Sequence, residues 1–204
     1  MDTATIVGKL LPLLFNMMGP IGLIPVFAAV TARMDGPTRK AVALRTVLFA
    51  ATGVLLAVLI GEAILQSWGI SNSSLVVAAG VILALTAVRS VLMTATTPAV
   101  PEDGPDPKAT AVRPLAFPTI VSPQGIGVVI IFTASLTTGA EKATVLAVAA
   151  AIVALDYGAM RIAHWFMATI GMVPLMVLGA VFGVLQVALG VEMILDGLSL
   201  AGAG

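Results

Sequence analysis

Six long apolar stretches run through this chain. Two of them are interrupted near their middles by proline and glycine, as Gly19-Pro20-Ile21-Gly22-Leu23-Ile24-Pro25 in the first and Ser122-Pro123-Gln124-Gly125 in the fourth. An interrupted helix frees backbone polar groups that lipid cannot satisfy, so such breaks persist in a membrane only where protein or an aqueous cavity surrounds them. The pair of breaks points to a transport site inside a multi-span membrane protein. Composition agrees, because 59% hydrophobic and 10% charged residues over 204 positions leave too little polar surface to clothe a soluble globule.

The remaining composition excludes whole classes of chemistry. Net charge is zero with no basic or acidic tail, which argues against nucleic acid as a partner. There is no cysteine and only one histidine, His164, so disulfides, thiolate sites, Cys nucleophiles and His-based metal clusters are not expected. No Ser and His stand at helical spacing suited to an intramembrane enzyme, and no Gly-rich phosphate loop ends in Lys-Ser or Lys-Thr. The chain reads as neither an enzyme nor an ATP-driven pump, with no cofactor and no metal. Its expected partners are the lipid bilayer and a small-molecule substrate.

Hydropathy places spans at Ile6–Val30, Ala41–Leu65, Leu75–Thr94, Leu115–Leu136, Ala143–Met167 and Val173–Leu195. The first is long enough to cross the roughly 30 Å hydrocarbon core and has no cleavage site at its end, so it reads as a retained span. Prolines and charges mark Ala95–Arg113 as a solvated linker. It divides a single transmembrane domain, 1–204, into a first repeat of about 1–95, a cytoplasmic linker over 96–113 and a second repeat of about 114–204. If the spans alternate, Arg33, Arg39, Lys40, Arg45, Arg89, Lys108, Arg113 and Arg161 fall on one side, leaving Lys9 and Lys142 on the other. The positive-inside bias then puts both termini outside.

An odd number of spans in each half inverts the second half relative to the first. Pro20 and Gly22 match Pro123 and Gly125, and Gly80 matches Gly183, all at an offset of 103 residues. The predicted fold is therefore an all-α integral membrane protein with six transmembrane helices as two inverted three-helix repeats, helices 1 and 4 being broken near mid-membrane.

Ser122 before Pro123 reads as an N-cap followed by the first residue of a half-helix, since proline lacks the amide that would be orphaned there. Free amides around Gln124, Gly125 and Ile126 would then face an anion such as a carboxylate. In the first break a half-helix could start at Gly19-Pro20, or Gly19–Ile24 could be unwound with Pro25 opening the second half. A plain proline kink packed against a neighbour is the structural alternative at either site. Asn16, Gly19, Pro20, Gly22, Pro25, Ser122, Pro123, Gln124 and Gly125 are the candidate substrate-binding residues.

An acid at a helix centre costs about 2.5–3.5 kcal/mol on insertion scales, so Asp156 and Glu192 stand out. Asp156 reads either as a proton-coupling site or as a structural partner of Arg161 or His164. Glu192 reads as a second proton-coupling candidate or as an acid reaching the outer interface. Gln66, Asn72 and Gln186 read as ordinary interhelical hydrogen-bonding groups.

The stretch Gly19-Pro20-Ile21-Gly22-Leu23-Ile24-Pro25-Val26-Phe27, the run Arg113-Pro114-Leu115-Ala116-Phe117-Pro118 followed by Ser122-Pro123-Gln124-Gly125, and Gly183 through Ile194-Leu195-Asp196-Gly197 together resemble the MarC family, also described as the small neutral amino acid transporter family. The resemblance implies a six-helix protein of the bacterial or archaeal inner (cell) membrane, related to exporters of the lysine-exporter superfamily. It implies small neutral amino acids such as glycine or alanine as substrates, with proton coupling. Gly19 stands where the family usually has Asn or Asp, Leu23 where it often has Asn, and Glu192 where Gln is common. The expected function is secondary transport; the alternative is a membrane scaffold or stress-response protein without a substrate.

Overall fold

The computed structural model describes residues 3–92, 112, 115–134, 136 and 138–202. The predicted linker, apart from Val112, lies outside the described residues. Seven α-helices and one π-helical turn make up the described chain: α1 (Thr3–Met18), α2 (Pro20–Val30), α3 (Gly36–Trp68), α4 (Asn72–Leu92), the π turn (Leu115–Ile120), α5 (Pro123–Ala134), α6 (Gly139–Thr169) and α7 (Met172–Gly202). Five segments are long and apolar enough to cross a membrane: α1 with α2 as one bent rod, then α3, α4, α6 and α7. This is an all-α multi-span membrane protein.

The fourth predicted span, Leu115–Leu136, does not form one long helix. It consists of the six-residue π turn and the twelve-residue α5. At 1.5 Å per residue α5 covers about 18 Å, too little to cross alone. Proline is the cause. Pro disfavours helical geometry in the residue before it, and Phe117, which precedes Pro118, sits at φ −140°, ψ 129°. Ser122, which precedes Pro123, is likewise outside any helix.

Local signals fix the other ends. Thr138 accepts from the Glu141 amide at 3.3 Å while the Glu141 carboxylate accepts from the Thr138 amide at 3.2 Å, a reciprocal cap that opens α6. The Ser71 hydroxyl accepts from the Ser74 amide at 3.2 Å at the start of α4. Gly69 (φ +64°) and Gly171 (φ +79°) follow α3 and α6 in the left-handed region that glycine enters without strain.

Two packing centres result. α6 lies against α1, α2 and α3 with a buried stripe that includes Val145, Ala149, Ile152, Asp156 and Met160. α4 and α7 form the second and closest pair. A Cβ on Gly190 would fall 2.7 Å from the Ala84 amide and 2.8 Å from the Gly80 carbonyl, and one on Gly197 would fall 2.9 Å from the Ser73 carbonyl. Moving forward along α7 means moving back along α4, so the two helices run antiparallel. The outer faces carry large apolar side chains such as Leu48, Phe49 and Leu59, surfaces suited to acyl chains.

Two pairs of helix starts repeat at one offset. α2 and α5 begin at 20 and 123, and α3 and α6 at 36 and 139. Each pair is 103 residues apart (123 minus 20, 139 minus 36), the offset already seen in the glycines and prolines.

The α4–α7 crossing admits no side chain at Gly190, so Gly190→Val should destabilise the protein by about 1–3 kcal/mol, as overpacking does. Gly179→Ala on the same helix meets nothing within 4 Å and should be neutral or slightly stabilising. Thermal melting of the two variants in detergent checks this, and equal melting points would contradict the close crossing.

Candidate functional site

The first break is a single residue. α1 ends at Met18, Gly19 is extended at φ −83°, ψ 175°, and Pro20 starts α2. Of the two forms open to the sequence, the half-helix beginning at Gly19-Pro20 is the one adopted. The stretch Gly19–Ile24 is not unwound, and Pro25 lies inside α2. A Cβ at Gly19 would run into the Phe15 carbonyl, so the site is shaped around glycine.

The break leaves carbonyls without donors, and the rest of the bundle supplies them. In an unbroken helix the Asn16 carbonyl would accept from residue 20, but Pro20 has no N–H. Gln186 of α7 donates to it through Nε2 at 2.6 Å. The Met17 carbonyl accepts instead from the Ser122 hydroxyl at 3.1 Å. The two breaks therefore meet, with Ser122 as the joint.

Ser122 also performs the capping role that its place before Pro123 predicts. Its hydroxyl accepts from the Gly125 amide at 3.2 Å, and its carbonyl accepts from the Ile126 amide at 2.9 Å. Two of the three amides expected to face an anion are thus engaged within the turn. The Met18 side chain fills the space in front of Gly125, where a Cβ would meet Met18 Sδ at 2.6 Å and Ser122 Oγ at 2.9 Å. The Gln124 side chain lies outside the described residues.

Other predicted residues take different positions. Asn16 is half-buried, and its Oδ1 is shielded with no hydrogen-bond partner among the described residues. Gly22 is exposed and a Cβ there meets nothing within 4 Å, Pro25 is half-buried, and Pro123 is exposed. Glu192 is exposed on α7. Asp156 is 0% exposed and neither carboxyl oxygen has a partner among the described residues. The structural pairing with Arg161 or His164 is not made. Arg161 donates to the Tyr157 hydroxyl at 3.2 Å, and His164 Nε2 lies 2.8 Å from the Thr31 hydroxyl. Thr31 gives its own proton to the Phe27 carbonyl at 2.7 Å, so the imidazole is the donor to Thr31.

Five residues outside the predicted substrate site also matter. Gln186, by type an ordinary interhelical polar group, supplies the non-helical donor that Pro20 denies the Asn16 carbonyl. Thr31, His164 and Arg39, whose Nε donates to the Thr31 carbonyl at 3.3 Å, tie the ends of α2 and α6 to the start of α3. Thr46 is fully buried on α3, and its hydroxyl has no partner among the described residues.

A family model described as MarC family integral membrane protein matches residues 4–201. The membrane protein YhcE of Escherichia coli (strain K12) is 27% identical over 194 residues, spanning 91% of this chain and 88% of its own. A membrane protein of Methanocaldococcus jannaschii is 27% identical over 188 residues, with 91% and 92% covered. One from Archaeoglobus fulgidus is 28% identical over 193 residues, with 91% and 89% covered. No solved structure matches the chain.

Because the Ser122 hydroxyl serves both breaks in a buried setting, Ser122→Ala should cost about 1–3 kcal/mol, the penalty of leaving buried groups unpaired. Gln186→Leu should cost a similar amount by stranding the Asn16 carbonyl. Removing the exposed Thr144 hydroxyl, which bonds only its own helix, should stay within about 0.5 kcal/mol. Chemical or thermal unfolding of the three variants in one detergent ranks them, and a neutral Ser122→Ala would contradict the joint.

Proposed function

We propose that this chain, which belongs to the MarC family of integral membrane proteins, is a secondary transporter of small neutral amino acids such as glycine or alanine. The observation that carries the reading is the meeting of the two breaks at Ser122, which brings backbone from two interrupted segments to one place inside the bundle. Interrupted helices at repeat-related positions are the usual architecture of a transporter's central site. The shared offset of the helix starts and the antiparallel α4–α7 pair support an inverted repeat of two three-helix halves, with the π turn and α5 together serving as the fourth crossing.

The substrate site in this reading is lined by Asn16, Gly19, Pro20, Gly22 and Pro25 on one side and by Ser122, Pro123, Gln124 and Gly125 on the other. The unpartnered Asn16 Oδ1 is an acceptor for the substrate ammonium. Amides of the α5 N-terminus receive the carboxylate once Met18 withdraws from Gly125. With Met18 in place the site is closed, and opening it is the alternating step. The coupling charge, expected from the sequence to be a proton, sits at Asp156 and not at the exposed Glu192. A purely structural role, as in a scaffold or stress-response protein, is favoured by the tight fit of Met18 on Gly125, and transport measurements separate the two. The cation asymmetry supports placement in the inner (cell) membrane of a bacterium or archaeon with both termini outside.

Purified protein in proteoliposomes should show counterflow of glycine or alanine, and silence across a broad solute panel would favour the structural role. Gly22→Leu should abolish that counterflow while preserving the folded protein, because the added side chain enters open space. Gly125→Leu is a poorer test, since it displaces Met18. Wild-type counterflow in Gly22→Leu would remove Gly22 from the site. For orientation, a cysteine introduced at Ser199 should react with an impermeant reagent in intact cells and one at Asp106 should not; the opposite labelling would reverse the topology.

A further inference from the structure

Among the described residues four buried side-chain polar atoms lack a hydrogen-bond partner, and all four are oxygens: Asn16 Oδ1, Thr46 Oγ1 and both carboxyl oxygens of Asp156. Asp156 and Thr46 are each 0% exposed. They sit on α6 and α3, which pack together, and α6 also packs on α2. The three helices are tied at one end. His164 of α6 is 2.8 Å from Thr31 and its ring lies edge-on to Phe27 with centroids 6.2 Å apart, while Arg39 of α3 donates to the Thr31 carbonyl.

Counting back from that shared end gives the depth of each group. Asp156 is eight residues from His164, about 12 Å along α6, and Thr46 is seven residues from Arg39, about 10 Å along α3. Ile21 is six residues before Phe27, about 9 Å along α2. Its carbonyl would accept from residue 25 in a regular helix, but residue 25 is proline and has no N–H. A carboxyl, a hydroxyl and a carbonyl thus lie within about one helical turn of the same depth, on α6 and on two helices that pack against it.

We propose that Asp156, Thr46 and the Ile21 carbonyl form a binding site for an alkali-metal cation of sodium's size. All the groups are hard oxygen donors, the set that hard cations take. Among the described residues no cation is paired with Asp156. On α6, Arg161 and His164 are engaged with Tyr157 and Thr31, and Lys142 lies fourteen residues before Asp156, about 21 Å along the axis. On α3, Arg39 is engaged with the Thr31 and Ala32 carbonyls, while Lys40 and Arg45 are exposed. α1 and α2 carry only Lys9, which is exposed. A buried carboxylate without a partner is strongly unfavourable. A single proton would give one hydrogen to the set, whereas a cation neutralises the carboxylate and coordinates the hydroxyl and carbonyl oxygens together. The site rests on the transport reading only for the use of the ion, which would replace the proton as the coupling charge.

Thermal melting of the full-length protein in detergent, at fixed pH and ionic strength, tests the site without any amino acid. Sodium chloride should raise the melting temperature saturably relative to choline chloride. Thr46→Val should weaken the apparent sodium affinity by about tenfold, and Asp156→Asn should abolish the response. If Asp156→Asn does not fold, the wild-type response and its weakening in Thr46→Val decide the matter. Absence of a sodium effect in the wild type, an undiminished effect in Thr46→Val, or stabilisation by acid alone would each overturn the site, the last by assigning Asp156 to a proton. Sodium binding without counterflow would leave this site standing while removing the transport reading, and counterflow indifferent to sodium would do the reverse.

Discussion

Pro20 has no amide hydrogen, and the arrangement around the first break follows from where the Asn16 carbonyl finds another donor. A buried acceptor left unpaired costs about 1–3 kcal/mol, and lipid offers no water to relieve it. Gln186 reaches it from α7, 170 residues further along the chain. The neighbouring Met17 carbonyl is met by Ser122 from the fourth segment. A local deficiency written by one proline is thereby made good by two distant segments, which fixes how α1, α5 and α7 sit around the break.

The bundle is held by two kinds of contact of very different stiffness. α4 and α7 meet backbone to backbone at Gly80, Gly190 and Gly197, where a single added carbon would fall under 3 Å from main-chain atoms. Such a contact moves only as a unit, because close-packed interfaces deform little before they separate. The breaks are joined by single hydrogen bonds through one hydroxyl and by the flexible Met18 side chain, which has three rotatable bonds with which to leave Gly125. A change of shape in this molecule therefore concentrates where the helices are interrupted.

Much of this was written in the sequence, and the physical reasons divide what was from what was not. Span positions follow from length and hydropathy and are recovered for five segments. The fourth is broken at Ser122-Pro123 as its sequence predicts, but a further interruption at Phe117 goes unseen, because hydropathy does not register that Pro118 also removes an amide and pushes the residue before it out of helical geometry. Yet Leu11 and Ile24 also precede prolines and stay helical inside α1 and α2. Proline alone thus does not decide between a break and a tolerated bend; the neighbours that can replace the lost hydrogen bond do. For that reason Ser122 was legible as a cap, being local, whereas its bond to Met17 and the reach of Gln186 to Asn16 depended on how distant segments pack.

The solitary Asp156 has a geometric explanation that the sequence also contained. Arg161 is five residues on, about 140° around the helix at 100° per residue, so it faces away from the buried stripe that holds Asp156. His164 is about 12 Å further along the axis and is drawn to Thr31 instead. Neither Arg161 nor His164 can reach the carboxyl without unwinding the helix. The helix that contacts both halves of the broken first segment therefore carries a buried acid that the described residues leave unpaired. An arrangement of that kind is destabilising for the fold by itself, since an unpaired buried carboxylate costs several kcal/mol. Its compensation has to come from a cation or proton brought in from outside the chain, which makes the stability of this core and the occupancy of its oxygen site one and the same question.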